Sequence, residues 1–416
     1  MNVGHRPTLI ASFLHFDVSF MLWVLLGALG VYIAESLGLT SAQKGLMVAV
    51  PILSGALLRI PLGLLSDRFG GRRIGAGLLV FLFLPLTLGW RMGDSLPALL
   101  GIGLMLGAAG ASFAVALPLA SRWYPKERQG LVMGIAAAGN SGTVIANLLA
   151  PRLAALVGWH NVLALAMLPL AVVLLAFVLM AKEQQQVASQ RCPALAAGGP
   201  KFLALKQADL WWFCLFYSVT FGGYVGLSSF LPIFLRDQYH VAPVTAGYLT
   251  AAAAVVGSGL RPAGGYLSDK FGGVAMLTAL LLGISLVYVL ASRLPALGIM
   301  MVLIIAGMAC LGMGNGAVFQ LVPQRFSGEI GLATGIIGAF GGLGGFFLPN
   351  LLGNAREVSG SFGPGLLVLA GAALTALVAL RVLVLVENGW RRAWAQPTPA
   401  PEAVPGRVIM VPYLQP

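Results

Sequence analysis

The sequence predicts an all-α integral membrane protein with twelve transmembrane helices in two six-helix bundles. Three observations carry this expectation. The chain of 416 residues is 58% hydrophobic and only 9% charged, with a mean hydropathy of +0.91, against about 25% charged residues in soluble domains. Its apolar runs are long enough for helices that cross a hydrocarbon core of about 30 Å, and they lack the strict alternation of barrel strands. Finally, one stretch occurs twice. Arg59 to Gly71 and Arg261 to Gly273 align without a gap, each placing one arginine in an apolar segment eight residues before an acidic-basic pair.

Short charged or Pro/Gly turns separate the spans. The first half holds 9–34, 43–65, 73–90, 96–121, 130–157 and 160–181. The second holds 209–235, 244–267, 274–292, 296–322, 330–353 and 364–386. The domains follow: a first bundle over 1–181, a polar linker over 182–208 (Lys182, Glu183, Gln184 to Gln186, Gly198-Gly199-Pro200), a second bundle over 209–386 and a tail over 387–416. The Pro- and Ala-rich tail is expected to be disordered. Orientation comes from the basic residues. With the N-terminus in the cytoplasm, the cytoplasmic segments hold sixteen, among them Arg68, Arg72, Arg73, Arg122, Lys182, Lys270 and Arg325. The other side holds six: Lys44, Arg91, Arg152, Arg236, Arg293 and Arg356. This asymmetry predicts a multi-pass protein of the cytoplasmic (inner) membrane with both termini inside.

The formal charge of +12 is dispersed over loops, which sets topology and gives nucleic acid no continuous stripe to bind. Cys192, Cys214 and Cys310 are widely spaced, and His5, His15, His160 and His240 are scattered. No metal, cofactor or catalytic constellation is indicated, so an enzyme is not expected. The chain begins with no evident cleavable signal.

Six-plus-six repeats joined by a cytoplasmic linker describe two bundles rocking about a central cavity. Gly63-Leu64-Leu65-Ser66-Asp67-Arg68-Phe69-Gly70-Gly71-Arg72-Arg73 resembles the loop between the second and third helices of the major facilitator superfamily, and Gly265 to Gly273 its weaker copy. The resemblance covers essentially the whole chain and implies that fold, with a monomer as its default state. Asp67, Arg68 and Asp269 are then gating candidates. A carboxylate at a helix end can pair with arginines of a neighbouring helix, and such a pair is expected to hold the outward-open state and break when the cytoplasmic side opens. Plain solvated turn residues are the bland alternative.

Eight residues at about 1.5 Å each put Arg59 and Arg261 roughly 12 Å inside, near the midplane. An ionised arginine there costs roughly 2.5–3.5 kcal/mol on insertion scales and cannot shed its proton. One compensation is a buried carboxylate, for which Asp17 and Glu35 are the candidates. The more economical one is a mobile anion held between two guanidinium forks. Glycine-dense helices accompany the arginines: Gly134 to Thr143, with Gly139 and Gly142, and Gly335 to Gly345, with Gly338, Gly341 and Gly342. Close packing accounts for most of these glycines, though a glycine face can also slide. Packing does not explain Asn140, whose amide could donate to an anion.

These segments, with Arg59, Arg261 and Tyr217 to Tyr224, resemble the paired motifs of the nitrate/nitrite porter family, although Ala136, Ala137 and Ala138 stand where that family often has glycine. The resemblance implies that both arginines hold nitrate, that Asn140 and Tyr217 add hydrogen bonds, and that Phe221, Phe113 and Phe20 sandwich the flat ion. The stretch Lys44 to Gly55 looks closest to the assimilatory, proton-coupled branch. A monovalent anion entering a negative-inside cell works against about 2.3 kcal/mol per 100 mV, so import needs protons or exchange. Asp17 is the candidate proton carrier, lying a turn or two from the cytoplasmic helix end. Nitrate/nitrite exchange, a facilitator for another small anion and a non-transporting sensor of the same fold remain as alternatives.

Overall fold

The structure, a computed structural model, describes residues 4–124, 132, 136–184, 204–326, 330–386 and 390. Among these the secondary structure is entirely helical. In chain order the rods are α1 (Arg6–Trp23, continued by Leu25–Ala28 and Gly30–Leu37), α2 (Ser41–Phe69), α3 (Gly71–Met92) and α4 (Leu96–Ser121). Next come α5 (described from Ala136 and helical over Gly142–Val157), α6 (Trp159–Met180), α7 (Ala208–Tyr239) and α8 (Pro243–Phe271). The last four are α9 (Gly273–Ala291), α10 (Leu297–Arg325), α11 (Ile330–Ser359) and α12 (Gly363–Val386). Ten of the described helices are long and apolar enough to cross a membrane. The first span adds to them in three pieces. The start of the fifth falls among residues 125–131 and 133–135, outside the described set.

The sequence repeat survives to the helix ends. α7 begins and ends 202 residues after α1 (Ala208 against Arg6, Tyr239 against Leu37), and α8 follows α2 at the same offset (Pro243 against Ser41, Phe271 against Phe69). The turns repeat too. Gly70 and Gly272 stand at φ 95° and 91°, and each donates its N–H to a serine carbonyl four residues back, Ser66 and Ser268. Left-handed φ of this kind favours glycine, which is why the acidic-basic pair is followed by glycine in both halves. At the α1 and α7 ends the matched residues are Gly38 and His240, the latter a non-glycine held at φ 54°.

Helix ends sort onto two faces. Arg6, Phe69, Met180 and Ala208 lie on one, called here the termini face; Leu37, Ser41, Val157 and Tyr239 lie on the opposite, far face. Regular helix fails repeatedly between them. α1 breaks at Val24 and Leu29, α8 at Leu260 immediately before Arg261, and α4 and α5 each contain a 3₁₀ turn, Gly107–Ser112 and Ala138–Ser141. Such breaks inside a membrane free backbone carbonyls, which are tolerated where they are buried in protein or line a cavity.

Two segments differ from expectation where they are described. Glu183, at the start of the expected linker, accepts from the Arg72 N–H at 2.9 Å and lies 3.9 Å from Arg122. Trp390, in the tail, is buried. It donates to Asp209 at 2.8 Å and packs on Phe213 and Phe216. An indole with both an apolar bed and a hydrogen-bond acceptor is anchored; Trp390 is the one described residue of the tail. The remainder of both segments lies outside the described residues.

Candidate functional site

Arg59 enters from α2 and is buried to 1% exposure. Its Nε donates to the Gly110 carbonyl at 3.1 Å, an acceptor that the 3₁₀ turn of α4 supplies. Nη1 donates to the carbonyl of Gly338 on α11, in the other half of the molecule. Three rings surround the guanidinium, with centroids at 5.1 Å (Phe221), 5.2 Å (Phe113) and 5.4 Å (Trp23). Desolvated cation–π contacts of this kind are worth up to ~2 kcal/mol each, so rings and carbonyls together make the charge tolerable. Nη2 has no partner among the described residues.

Arg261 is held more loosely. Nη2 lies 3.4 Å from the Tyr217 hydroxyl, Phe319 is 5.7 Å away, and Nη1 is buried without a partner. The two arginines share one platform. Tyr217 stacks on Phe221 with centroids 4.9 Å apart and planes within 5°, and Phe319 closes it edge-on at 4.9 Å from Tyr217. Arg59 thus sits over one ring of the pair while Arg261 reaches the hydroxyl of the other.

Neither arginine has a carboxylate among the described residues. Glu35 pairs with Arg236 at 2.8 Å, and Asp17 accepts from the Ser141 hydroxyl at 2.5 Å. The buried-carboxylate compensation is therefore absent among the described residues, and two guanidinium groups, each with an unpartnered nitrogen, flank one aromatic platform. That arrangement suits a small planar oxyanion, which can accept from both forks while its faces lie against rings.

Of the residues singled out from sequence, Arg59, Arg261, Tyr217, Phe221 and Phe113 come together. Phe20 lies behind them, edge-on to Phe221 at 6.5 Å and to Trp23 at 5.1 Å. Asn140 is buried on the 3₁₀ turn of α5 with Oδ1 unpartnered. Trp23 and Phe319 were missed. Trp23 stands one helical turn beyond Phe20, a spacing that could have found it. Phe319 carries no such signal, since the repeat places Leu117 at its equivalent position.

Two expectations need correction. Asp17 is eleven residues into α1, about three turns from its start, so it is no helix-end carboxylate. Asp67 does pair with a neighbouring arginine, Arg122, but that residue belongs to the same half, and Asp269 accepts from Gln320 at 2.9 Å within the second half. Arg68 lies exposed over Phe69 at 5.2 Å. These contacts brace each half's own turn and do not bridge the halves. The glycines are close contacts. A Cβ on Gly139 or Gly142 would strike the backbone of Asp17, on Gly341 the Tyr217 ring, and on Gly342 the Ala56 Cβ at 2.7 Å; on Gly338 it would crowd Arg59 Nη1 at 3.2 Å.

The halves are bridged on the far face instead. Lys44 pairs with Asp237 at 2.7 Å, Arg236 with Glu35 at 2.8 Å, and the Ala42 N–H donates to Glu357 at 3.2 Å. Gly45 packs on the Pro349 carbonyl and on Gly353. Among the described residues no hydrogen bond or ion pair joins the halves on the termini face. The conformation is closed on the far face. The Lys44–Asp237 pair, with side chains 18% and 14% exposed, contributes about 1 kcal/mol, at the upper end for such pairs. Asp237→Asn is then expected to raise far-face opening about fivefold, read as a longer spin-label distance between the exposed far-face positions 40 and 358.

Residues 11–349 match the profile of the Major Facilitator Superfamily. The chain belongs to that superfamily. It is 36% identical over 360 residues to a nitrite extrusion protein of Bacillus subtilis (86% of this chain, 89% of that one). It is 35% identical to the probable nitrate/nitrite transporter NarK2 of Mycobacterium tuberculosis (86% and 91%). With the probable nitrate/nitrite antiporter NarK1 of Thermus thermophilus it shares 34% (84% and 85%). These relatives place the chain in the nitrate/nitrite porter family, among transporters and not enzymes. A bacterial homologue of the human lysosomal transporter Spinster superposes with a TM-score of 0.67 over 95% of this chain and 99% of that one, at 20% identity, which shows the shared fold.

Proposed function

We propose that this protein carries nitrate and nitrite across the cytoplasmic membrane by alternating access, as a monomer with both termini in the cytoplasm. The observation that carries the reading is the paired arginines: Arg59 is buried and Arg261 half-buried, each keeps a free N–H, and neither has a carboxylate among the described residues. The names of the relatives support the substrate. Residues 1–181 and 209–386 would move as two bodies. The far face, closed in this conformation, would be the periplasmic one, and the anion would reach Arg59 and Arg261 between Phe113, Phe221 and Tyr217.

Coupling follows from Asp17. A carboxylate three turns inside a span, hydrogen-bonded to Ser141 across the α1–α5 contact, is placed to take up a proton while the anion loads, giving symport. Exchange of nitrate for nitrite is the second reading. It is favoured because no acid accompanies the arginines, so an unloaded site keeps two positive charges and returns poorly without an anion.

Nitrate uptake into proteoliposomes, with and without an inward proton gradient, separates the two. Symport predicts gradient-driven uptake that Asp17→Asn lowers at least tenfold. Exchange predicts uptake that ignores the gradient, requires internal nitrite and survives Asp17→Asn. No movement of either anion would overturn the substrate.

A further inference from the structure

Buried polar groups beyond the arginine site form two matching stripes. On α5, Asn140, Thr143 and Asn147 recur at spacings of three and four, which puts them on one helix face. On α7, Tyr217, Thr220 and Tyr224 recur at the same spacings. All six are at most 2% exposed. Apart from Tyr217, which reaches Arg261, each holds a buried oxygen with no well-formed hydrogen bond among the described residues: Asn140 Oδ1, Thr143 Oγ1, Asn147 Oδ1, Thr220 Oγ1 and Tyr224 OH.

The stripes touch at one level, across the boundary between the halves, where Tyr224 reaches Thr143; Thr220 packs instead on Gly314 of α10. The Tyr224 hydroxyl lies beside Thr143 of α5 and Ser258 of α8, and its ring packs on Gly257 of α8. One turn nearer the far face, Gly247 of α8 packs on the Asn147 carbonyl at a distance that leaves no room for a side chain. Both α5 and α7 run from the termini face to the far face. The stripes therefore start at the site, with Tyr217 on Arg261, and continue toward the closed side. Membrane interiors make unpaired polar groups costly, and such groups in spans face cavities or solute pathways. Neighbouring apolar side chains would pack this seam equally well, so packing does not account for it.

We propose that this seam is the far half of the anion's passage: its two walls are zipped together when the far face is closed, and they part to expose hydroxyl and amide groups to the ion and its water when that face opens. Neutral hydroxyl and amide groups suit the role, since they replace hydration without holding the ion as a guanidinium would. Because each wall belongs to a different half, opening wets groups that closure leaves poorly paired. The seam thus lowers the barrier to far-face opening without contributing to affinity at the arginines. This rests on the transport reading above.

The test combines Thr143→Val, Asn147→Leu and Tyr224→Phe in one variant, which removes the polar atoms at nearly constant volume. Equilibrium binding of nitrate to purified protein and nitrate exchange in proteoliposomes are measured in parallel with wild type. The expected result is nitrate affinity within threefold of wild type and an exchange rate at least tenfold lower. An unchanged rate overturns the proposal. So does an affinity that falls as far as the rate, which would assign these residues to the anion site itself. Should the triple variant not fold, Tyr224→Phe and Thr143→Val carry the same comparison singly, with at least a threefold loss of rate expected. If wild-type protein neither binds nor moves nitrate, the substrate reading fails, and the same comparison is made with the anion that does move.

Discussion

Arg261→Ala is expected to lower nitrate transport at least 100-fold, measured as initial uptake in proteoliposomes. A guanidinium contributes two charge-assisted hydrogen bonds to an oxyanion, each worth ~1.5–3 kcal/mol, and every 1.4 kcal/mol is tenfold. Arg261 has few competing contacts: one long approach to Tyr217, one ring, and a free Nη1. Its loss should leave the fold intact. Arg59 differs, because Gly110, Gly338 and three rings already engage it. Arg59→Ala should abolish transport and also destabilise the protein, since two buried carbonyls lose their donor at ~1–3 kcal/mol each. Arg261→Lys should retain a few per cent of activity and Arg59→Lys none. An ammonium can replace a point charge, but it cannot serve two carbonyls and an anion from one planar fork. Transport within tenfold of wild type in Arg261→Ala would remove the paired-arginine site from the account.

The arginines were legible because the sequence states a physical conflict: a charge that cannot be discharged, written twice in apolar helices. The repeat was legible for the same reason that it is preserved, since each half must bury the same face and turn at the same glycines. What stayed hidden required pairing across the chain. Lys44, Arg236 and Arg356 read as dispersed topology-setting charges. In the fold Lys44 meets Asp237 and Arg236 meets Glu35, at separations of 193 and 201 residues, and Arg356 donates to the Asp237 carbonyl at 3.0 Å. Nothing local in a basic loop residue distinguishes a latch from a topology signal. The depth of Asp17 was misread because the helix begins at Arg6, three residues before the apolar run does. Polar residues can form the first turn of a transmembrane helix, so hydropathy underestimates how far inside a carboxylate lies. Trp23 and Phe319 were missed because an aromatic ring in a membrane span is ordinarily lipid- or core-facing. Only the position of Arg59 and Tyr217 gives these two a role.

Gly341→Ala is expected to cut nitrate affinity 10- to 100-fold, while Gly335→Ala, on the same helix, is expected to be silent. A methyl at 341 would overlap the Tyr217 ring and approach Phe221 Cδ1 at 3.1 Å. Both rings are at most 1% exposed and stacked on each other, so neither has room to yield. Overpacking of this kind typically costs 1–3 kcal/mol. Here its cheapest release is to push Tyr217 away from Arg261, which disassembles the platform between the arginines. At Gly335 nothing among the described residues lies within 4 Å, so alanine meets open space there and gains helix propensity of roughly 1 kcal/mol. Sliding and packing separate on this pair. If the glycine run works as a hinge or sliding surface, both positions need a missing side chain, and Gly335→Ala should slow transport as Gly341→Ala does. If it works by close contact, the effect follows what each Cβ would strike: the Tyr217 ring at 341, Ala56 at 342 and nothing at 335. Binding and exchange measured on these three variants decide between the two, because a hinge defect lowers the rate at constant affinity, whereas a displaced Tyr217 lowers affinity first.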